Sequence, residues 1–233
     1  MKLLEWEQLP DYMQNNLVKP YYEHLQKRRK SLLGKRILDL CIGIPMTIAL
    51  LPIIAGLALF IKLDSAGPIF FRQERITTYG RTYRIYKFRT MVVDADKKGP
   101  AITRGADNRI TRMGRLLRKC RLDELPQVFN VLTGDMSFVG TRPEVAKYVE
   151  AYSEEMYATL LLPAGITSRT SILYKDEDEV MEKYLAETEL SVDEVYIQYI
   201  LPEKMKHNLA YTHQFGVKTD LKIMVDTAIA VLK

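Results

Sequence analysis

The chain has 233 residues, 47% of them hydrophobic, with 34 Lys and Arg against 29 Asp and Glu. Together with a mean hydropathy of −0.13, that is enough for one globular domain plus one membrane element, and it excludes a multi-span transporter. The formal net charge of +5 suits an anionic membrane, a nucleotide or nucleic acid alike, so charge alone does not choose the partner.

Residues Met1 to Tyr22 lack a basic start followed by an apolar core, so no cleavable signal is expected. Residues 1–34 predict a short helical arm in which Trp6, Leu9, Tyr12, Met13, Leu17, Tyr21, Tyr22 and Leu25 mix with polar residues ahead of the basic run Lys27 to Lys30. The pattern fits a membrane interface and packing on the chain's own domain or on a partner equally well.

Residues 35–62 predict a membrane element. From Leu40 to Ile61 there is no charged side chain, and about 22 residues at about 1.5 Å each are long enough to cross a hydrocarbon core of roughly 30 Å. Pro45 and Pro52 interrupt the run, and the flanks are basic on both sides, with Lys35 and Arg36 before it and Lys62, Arg72 and Arg75 after it. Positive residues favour the cytoplasm, which predicts a re-entrant helix hairpin bent near Pro52; a simple spanning helix stays open. Asp39 is expected to pair with Lys35 or Arg36, one helical turn away, and to anchor the helix at the headgroup level.

Residues 63–233 predict a cytoplasmic domain. Ile69 to Ile76 and Thr82 to Phe88 read as a β-hairpin around Tyr79-Gly80. Asp94 to Asp107 reads as a loop that covers a site or merely connects. Ile110 to Cys120 predicts a basic amphipathic helix. Glu124 to Leu132 predicts a second helix, with Asp123 at its N-cap and Gly134 at its C-terminal end. The acidic run Asp176 to Glu179 opens a further helix through Leu185, with a second metal ligand left open there. Asp220 to Leu232 forms an apolar helical face for the core or for an interface. Cys41 and Cys120 give no disulfide framework and fit a reducing compartment, and His24, His207 and His213 lack zinc-ligand spacing.

The most informative stretch runs from Arg118 to Pro143, RKCRLDELPQVFNVLTGDMSFVGTRP, where the adjacent carboxylates Asp123 and Glu124 sit among many cations. Cations offset an anionic substrate, and a metal ion lets a carboxylate approach phosphorus, so the cluster points to phosphate chemistry. A bland reading stands beside it: Asp123 caps a helix and Glu124 complements its dipole, together worth about 1 kcal/mol.

The order Lys35-Arg36 with Asp39, the proline-containing apolar run, Tyr86-Lys87-Phe88-Arg89-Thr90-Met91, LDELPQVFNVLTGDMSFVG, Arg142-Pro143 and finally Asp220-Leu221-Lys222-Ile223-Met224 resembles the monotopic phosphoglycosyl transferases, or bacterial sugar transferases. The resemblance implies an α+β, mainly helical fold: a re-entrant membrane helix hairpin and a cytoplasmic globular domain with a small β-hairpin and interfacial amphipathic helices. It implies transfer of a sugar-1-phosphate from a UDP-sugar to polyprenyl (undecaprenyl) phosphate, with release of UMP, at the cytoplasmic face of the bacterial inner membrane. By the same resemblance Asp123 is a nucleophile that forms a covalent phosphosugar intermediate and holds magnesium, and Glu124 is its partner. Arg118 holds phosphate, Arg142 lies near the nucleotide, and Lys87 and Arg89 lie near the site. The re-entrant bend corresponds to Leu51-Pro52. The implied partners are the lipid phosphate and the nucleotide sugar rather than nucleic acid, with homo-oligomerisation left open.

Thr141 departs from the family pattern before Arg-Pro, and PAGITSRTSILYKDED lacks the continuation common in relatives, so the sugar is not identified. The alternative from another class is a membrane-tethered basic adaptor that binds anionic lipid or nucleic acid without catalysis, its Arg-rich helix tracking phosphates.

Overall fold

Most of the apolar residues of the N-terminal arm turn inward, while Tyr12 and Leu17 stay exposed. In the computed structural model, which describes residues 2–95, 107–174 and 177–232, the arm forms short 3-10 turns at Trp6–Gln8 and Asp11–Met13 and then helix α1, Lys19–Lys27. Leu9, Met13, Val18, Tyr22 and Leu25 enter the main core, and the Tyr21 hydroxyl donates to Glu155 Oε1 at 2.7 Å. The arm thus packs on its own domain.

Helix α2 spans Arg29–Asp64 without interruption and contains both Pro45 and Pro52. Only 17% of its most apolar 18-residue window is buried, and Ile44, Ile48, Leu51, Ile53, Leu59 and Phe60 are exposed. A soluble protein's core helix would hide these side chains, so α2 is not one.

The base of α2 differs from expectation. Lys35 and Asp39 do not form an ion pair with each other; both are buried, and each is satisfied by another element. Lys35 Nζ donates to Val139 O at 2.6 Å, Asp220 Oδ2 at 2.8 Å and the Tyr211 hydroxyl at 3.1 Å. Asp39 Oδ1 accepts from Ser137 Oγ at 2.9 Å and Phe138 N at 3.1 Å. Arg36 donates to the carbonyls of Val131 at 2.6 Å and Leu132 at 2.9 Å, satisfying orphan groups at the end of a neighbouring helix. The physical reason is desolvation: charges held in the interior need fixed polar partners, and strand and helix ends supply them better than one flexible side chain.

Strands β1, Phe70–Ile76, and β2, Thr82–Phe88, pair antiparallel as expected, with Phe70 opposite Phe88 and Ile76 opposite Thr82. Tyr79 at φ 59° and Gly80 at φ 75° make the turn. Helix α3, Arg112–Lys119, is capped by Thr111, whose side chain accepts from Gly114 N. Its Leu117 joins Ile54 and Ile61 of α2 and Phe88 of β2 in a second, smaller core.

The helix expected from Glu124 to Leu132 is instead a 3-10 turn, Leu122–Gln127, followed by α4, Val128–Thr133, which ends at Gly134 in the left-handed region. Strand β3, Met136–Val139, and β4, Ala164–Thr167, pair in parallel around α5, Ala146–Val149. All four β3 residues are buried, so no alternation marked the strand in the sequence. Helices α6, Arg169–Leu173, and α7, Glu177–Glu187, follow. Then α8, Val192–Val195, runs through a π-helical turn, Tyr196–Ile200, into α9, Leu201–Gln214, and α10, Val217–Leu232, closes on α2. Most of the expected loop Asp94 to Asp107, and Asp176 of the acidic run, lie outside the described residues.

Candidate active site

Arg121 sits at φ 53°, a left-handed conformation costing a residue with a Cβ about 1 kcal/mol. It reverses the chain out of α3 and sets Asp123 and Glu124 in the first turn of the following 3-10 segment, whose Pro126 and Gln127 are buried. The N-cap position belongs to Arg121, so Asp123 is not the cap that its sequence context suggested. Asn130 in α4 fastens this segment to β2: its Oδ1 accepts from Tyr86 N at 2.8 Å and its Nδ2 donates to Arg84 O at 3.1 Å.

That register brings Lys87 to Glu124, Nζ to Oε1 at 2.8 Å. After β3 the chain returns and Arg142 Nη2 reaches the same oxygen at 3.0 Å. Glu124 is thus clamped by two cations. Asp123 is half-buried, and no cation among the described residues lies within ion-pair distance of it. Arg118 is held by Thr90, Nε to Oγ1 at 2.9 Å, and contributes its charge to Asp123 without touching it. Arg89 is not brought to the dyad: it is buried and donates to Ser65 O at 2.6 Å and Ser65 Oγ at 2.7 Å, next to the end of α2.

The two carboxylates are driven apart electrostatically. Burial, then the charge of Glu124, raises the Asp123 pKa, and Lys87 and Arg118 only partly oppose this. Burial would raise Glu124 as well, but the charges and hydrogen bonds of Arg142 and Lys87 overcome it and hold that carboxyl well below the usual range. Glu124 in turn pushes the Arg142 guanidinium up. A pair of acids separated in this way suits one fixed anion and one reactive carboxylate.

Among the described residues no group of three or more His, Cys, Asp or Glu side chains forms a metal cage. An octahedral, hard cation held by one carboxylate, substrate phosphate and water needs no such cage, and the oxygens of Asp123, in no ion pair among the described residues, fit that role.

Sequence reasoning missed a second polar cluster beyond Arg142, made of Glu144, Glu177, Tyr196 and Lys204. One signal was available. Lys204 falls on the same helical face as Leu201, Met205, Asn208 and Tyr211, all of which are buried, and a lysine in that register needs a buried partner.

Residues 30–233 match the family model described as bacterial sugar transferase. The chain is 35% identical over 203 residues to a UDP-N-acetylgalactosamine-undecaprenyl-phosphate N-acetylgalactosaminephosphotransferase of Aeromonas hydrophila, covering 85% of this chain and 43% of that protein. It is 32% identical over 195 residues to a UDP-glucose:undecaprenyl-phosphate glucose-1-phosphate transferase of Escherichia coli, covering 82% and 38%. A protein of the same description from Caulobacter vibrioides is 44% identical over 121 residues, covering 52% and 45%. The chain therefore spans less than half the length of each of these three relatives.

Proposed function

Because this chain belongs to the bacterial sugar transferase family, we propose that it transfers a sugar-1-phosphate from a UDP-sugar to polyprenyl phosphate and releases UMP, as the first membrane step of glycan assembly. The observation that carries this reading is the dyad: Glu124 is neutralised by Lys87 and Arg142, while the adjacent Asp123 carboxylate has no ion-pair partner among the described residues.

In the proposed reaction an Asp123 oxygen attacks the sugar-bearing phosphorus of the donor. The bond from that phosphorus to the bridging oxygen breaks, and UMP leaves with the bond's electron pair. A phosphate oxygen of the lipid then attacks the same phosphorus and frees the Asp123 carboxylate, which divides one difficult transfer into two steps. Arg118 and Arg142 offer guanidinium forks for the diphosphate. Lys87 and Arg142 keep Glu124 ionised and in place beside the nucleophile. Magnesium, when bound at Asp123 and the diphosphate, would neutralise phosphate charge.

The membrane reading rests on α2. Both of its halves are tied to the same domain: Lys35, Arg36 and Asp39 to β3, α4 and α10, and Ile54 and Ile61 to the core around Phe88 and Leu117. Asp64 near its end accepts from Met113 N at 3.0 Å. These attachments support a helix that dips into one leaflet and keeps both flanks on the cytoplasmic face, where a lipid phosphate and a soluble nucleotide sugar can both be met.

The test is UMP release by detergent-solubilised protein given undecaprenyl phosphate, magnesium and a panel including UDP-glucose and UDP-N-acetylgalactosamine. Release that requires the lipid, is abolished by chelation and is lost in Asp123→Asn is the expected result. Affinity for nucleic acid that is steeply salt-dependent and indifferent to Asp123, with no UMP release, would favour the adaptor instead.

A further inference from the structure

Beyond Arg142 the polar contacts continue into the interior. Glu144, two residues on, is buried, and its Oε1 accepts from the Tyr196 hydroxyl at 2.5 Å. Lys204 Nζ, also buried, donates to that hydroxyl at 2.9 Å and to Glu177 Oε2 at 3.1 Å, and lies 3.7 Å from Glu144 Oε1. On the other side Arg75 Nη1 donates to Pro143 O at 3.1 Å, so the backbone between Arg142 and Glu144 is gripped from both directions.

Burying this many charges is expensive, and a well-packed apolar cluster would stabilise the fold at least as well. The local backbone is also unusual: Tyr196 opens the π-helical turn between α8 and α9, an irregularity that concentrates at functional positions. Glu177 is the first residue of α7 and lies within the segment Pro163 to Asp178, which departs from the family pattern.

Building on the transferase reading, we infer that Glu177, Lys204, Tyr196 and Glu144 form a positioning network that fixes Arg142 for the nucleotide sugar and couples its placement to the start of α7. None of the four needs to touch substrate. The electrostatics agree: after Glu124, the charges of Glu144 and Glu177 are those that raise the Arg142 pKa. The network predicts an effect on the donor and none on the lipid, because only the guanidinium facing the diphosphate is displaced.

The experiment compares Tyr196→Phe and Glu177→Gln in the full detergent-solubilised chain, varying UDP-sugar and polyprenyl phosphate separately and recording thermal melts. Tyr196→Phe removes a single oxygen, and Glu177 is partly exposed, so both variants are expected to fold. The expected result is a fall of about tenfold in kcat/KM for the UDP-sugar, the scale on which a slightly misplaced binding group acts, with kcat/KM for the lipid unchanged. Folded variants with donor kinetics like the parent protein, or with equal losses for donor and lipid, would overturn the network. A parent protein that releases no UMP from any donor would overturn the transferase reading and this inference together.

Discussion

Asp123 and Glu124 are neighbours of the same chemistry with opposite environments, and their substitutions should have opposite consequences. The Asp123 pKa is raised, so the folded protein binds its proton more tightly than the unfolded chain, and stability declines as pH rises through that value. Asp123→Asn removes a penalised charge; it is expected to raise the melting temperature at neutral pH while lowering turnover by at least about a thousandfold, as loss of the proposed nucleophile would. The Glu124 pKa is depressed, so its contribution is present above the ordinary carboxylate value and is lost as pH falls through the folded one. Glu124→Gln leaves Lys87 and Arg142 without their shared anion, and denaturant titration should find a loss of about 3 kcal/mol. Without magnesium the Asp123 carboxyl should titrate above the ordinary Asp value of 3.8, and a metal-free titration at or below that value would contradict the raised pKa. The pair was legible in the sequence as adjacent acids among cations. Which acid is clamped was not, because Lys87 and Arg142 lie 37 and 18 positions away from Glu124.

At the level of elements, α3 is held where it is by a close approach. A Cβ on Gly114 would lie 2.0 Å from the Thr90 carbonyl oxygen, a backbone atom that cannot step aside. Gly114→Ala is therefore expected to cost about 2 kcal/mol by overpacking and to shift Arg118 off Thr90. Its signature is reduced stability together with weakened binding of the proposed UDP-sugar donor, and an unchanged melting curve would refute the close contact. The hairpin and the basic helix were readable because turn residues and apolar spacing mark them locally. The 3-10 segment at Leu122–Gln127 was misread as the start of a helix, since Asp-Glu followed by apolar residues is also how helices begin. Its geometry follows from Arg121 reversing the chain and from Asn130 binding β2, and neither is a local signal.

For the whole molecule, the test is topology. In a variant lacking Cys41 and Cys120, Lys30→Cys lies in the first turn of α2 and Ala66→Cys just past its end; both should react with a membrane-impermeant maleimide in vesicles exposing the cytoplasmic face, and neither in intact cells. Labelling of the two positions from opposite sides would make α2 a spanning helix. The sequence by itself determined the apolar helix and its prolines, the hairpin, the basic amphipathic helix and the acidic pair, because each is written in contiguous residues through periodicity, charge or turn chemistry. Only the tertiary structure decided that Lys35 meets Asp220 rather than Asp39, that Tyr21 and Tyr22 of the arm face the core, that β3 pairs with β4, and that Glu124 rather than Asp123 is neutralised. Those outcomes depend on desolvation, which obliges each buried charge to find whichever partner the fold brings within hydrogen-bond reach, however distant it is along the chain.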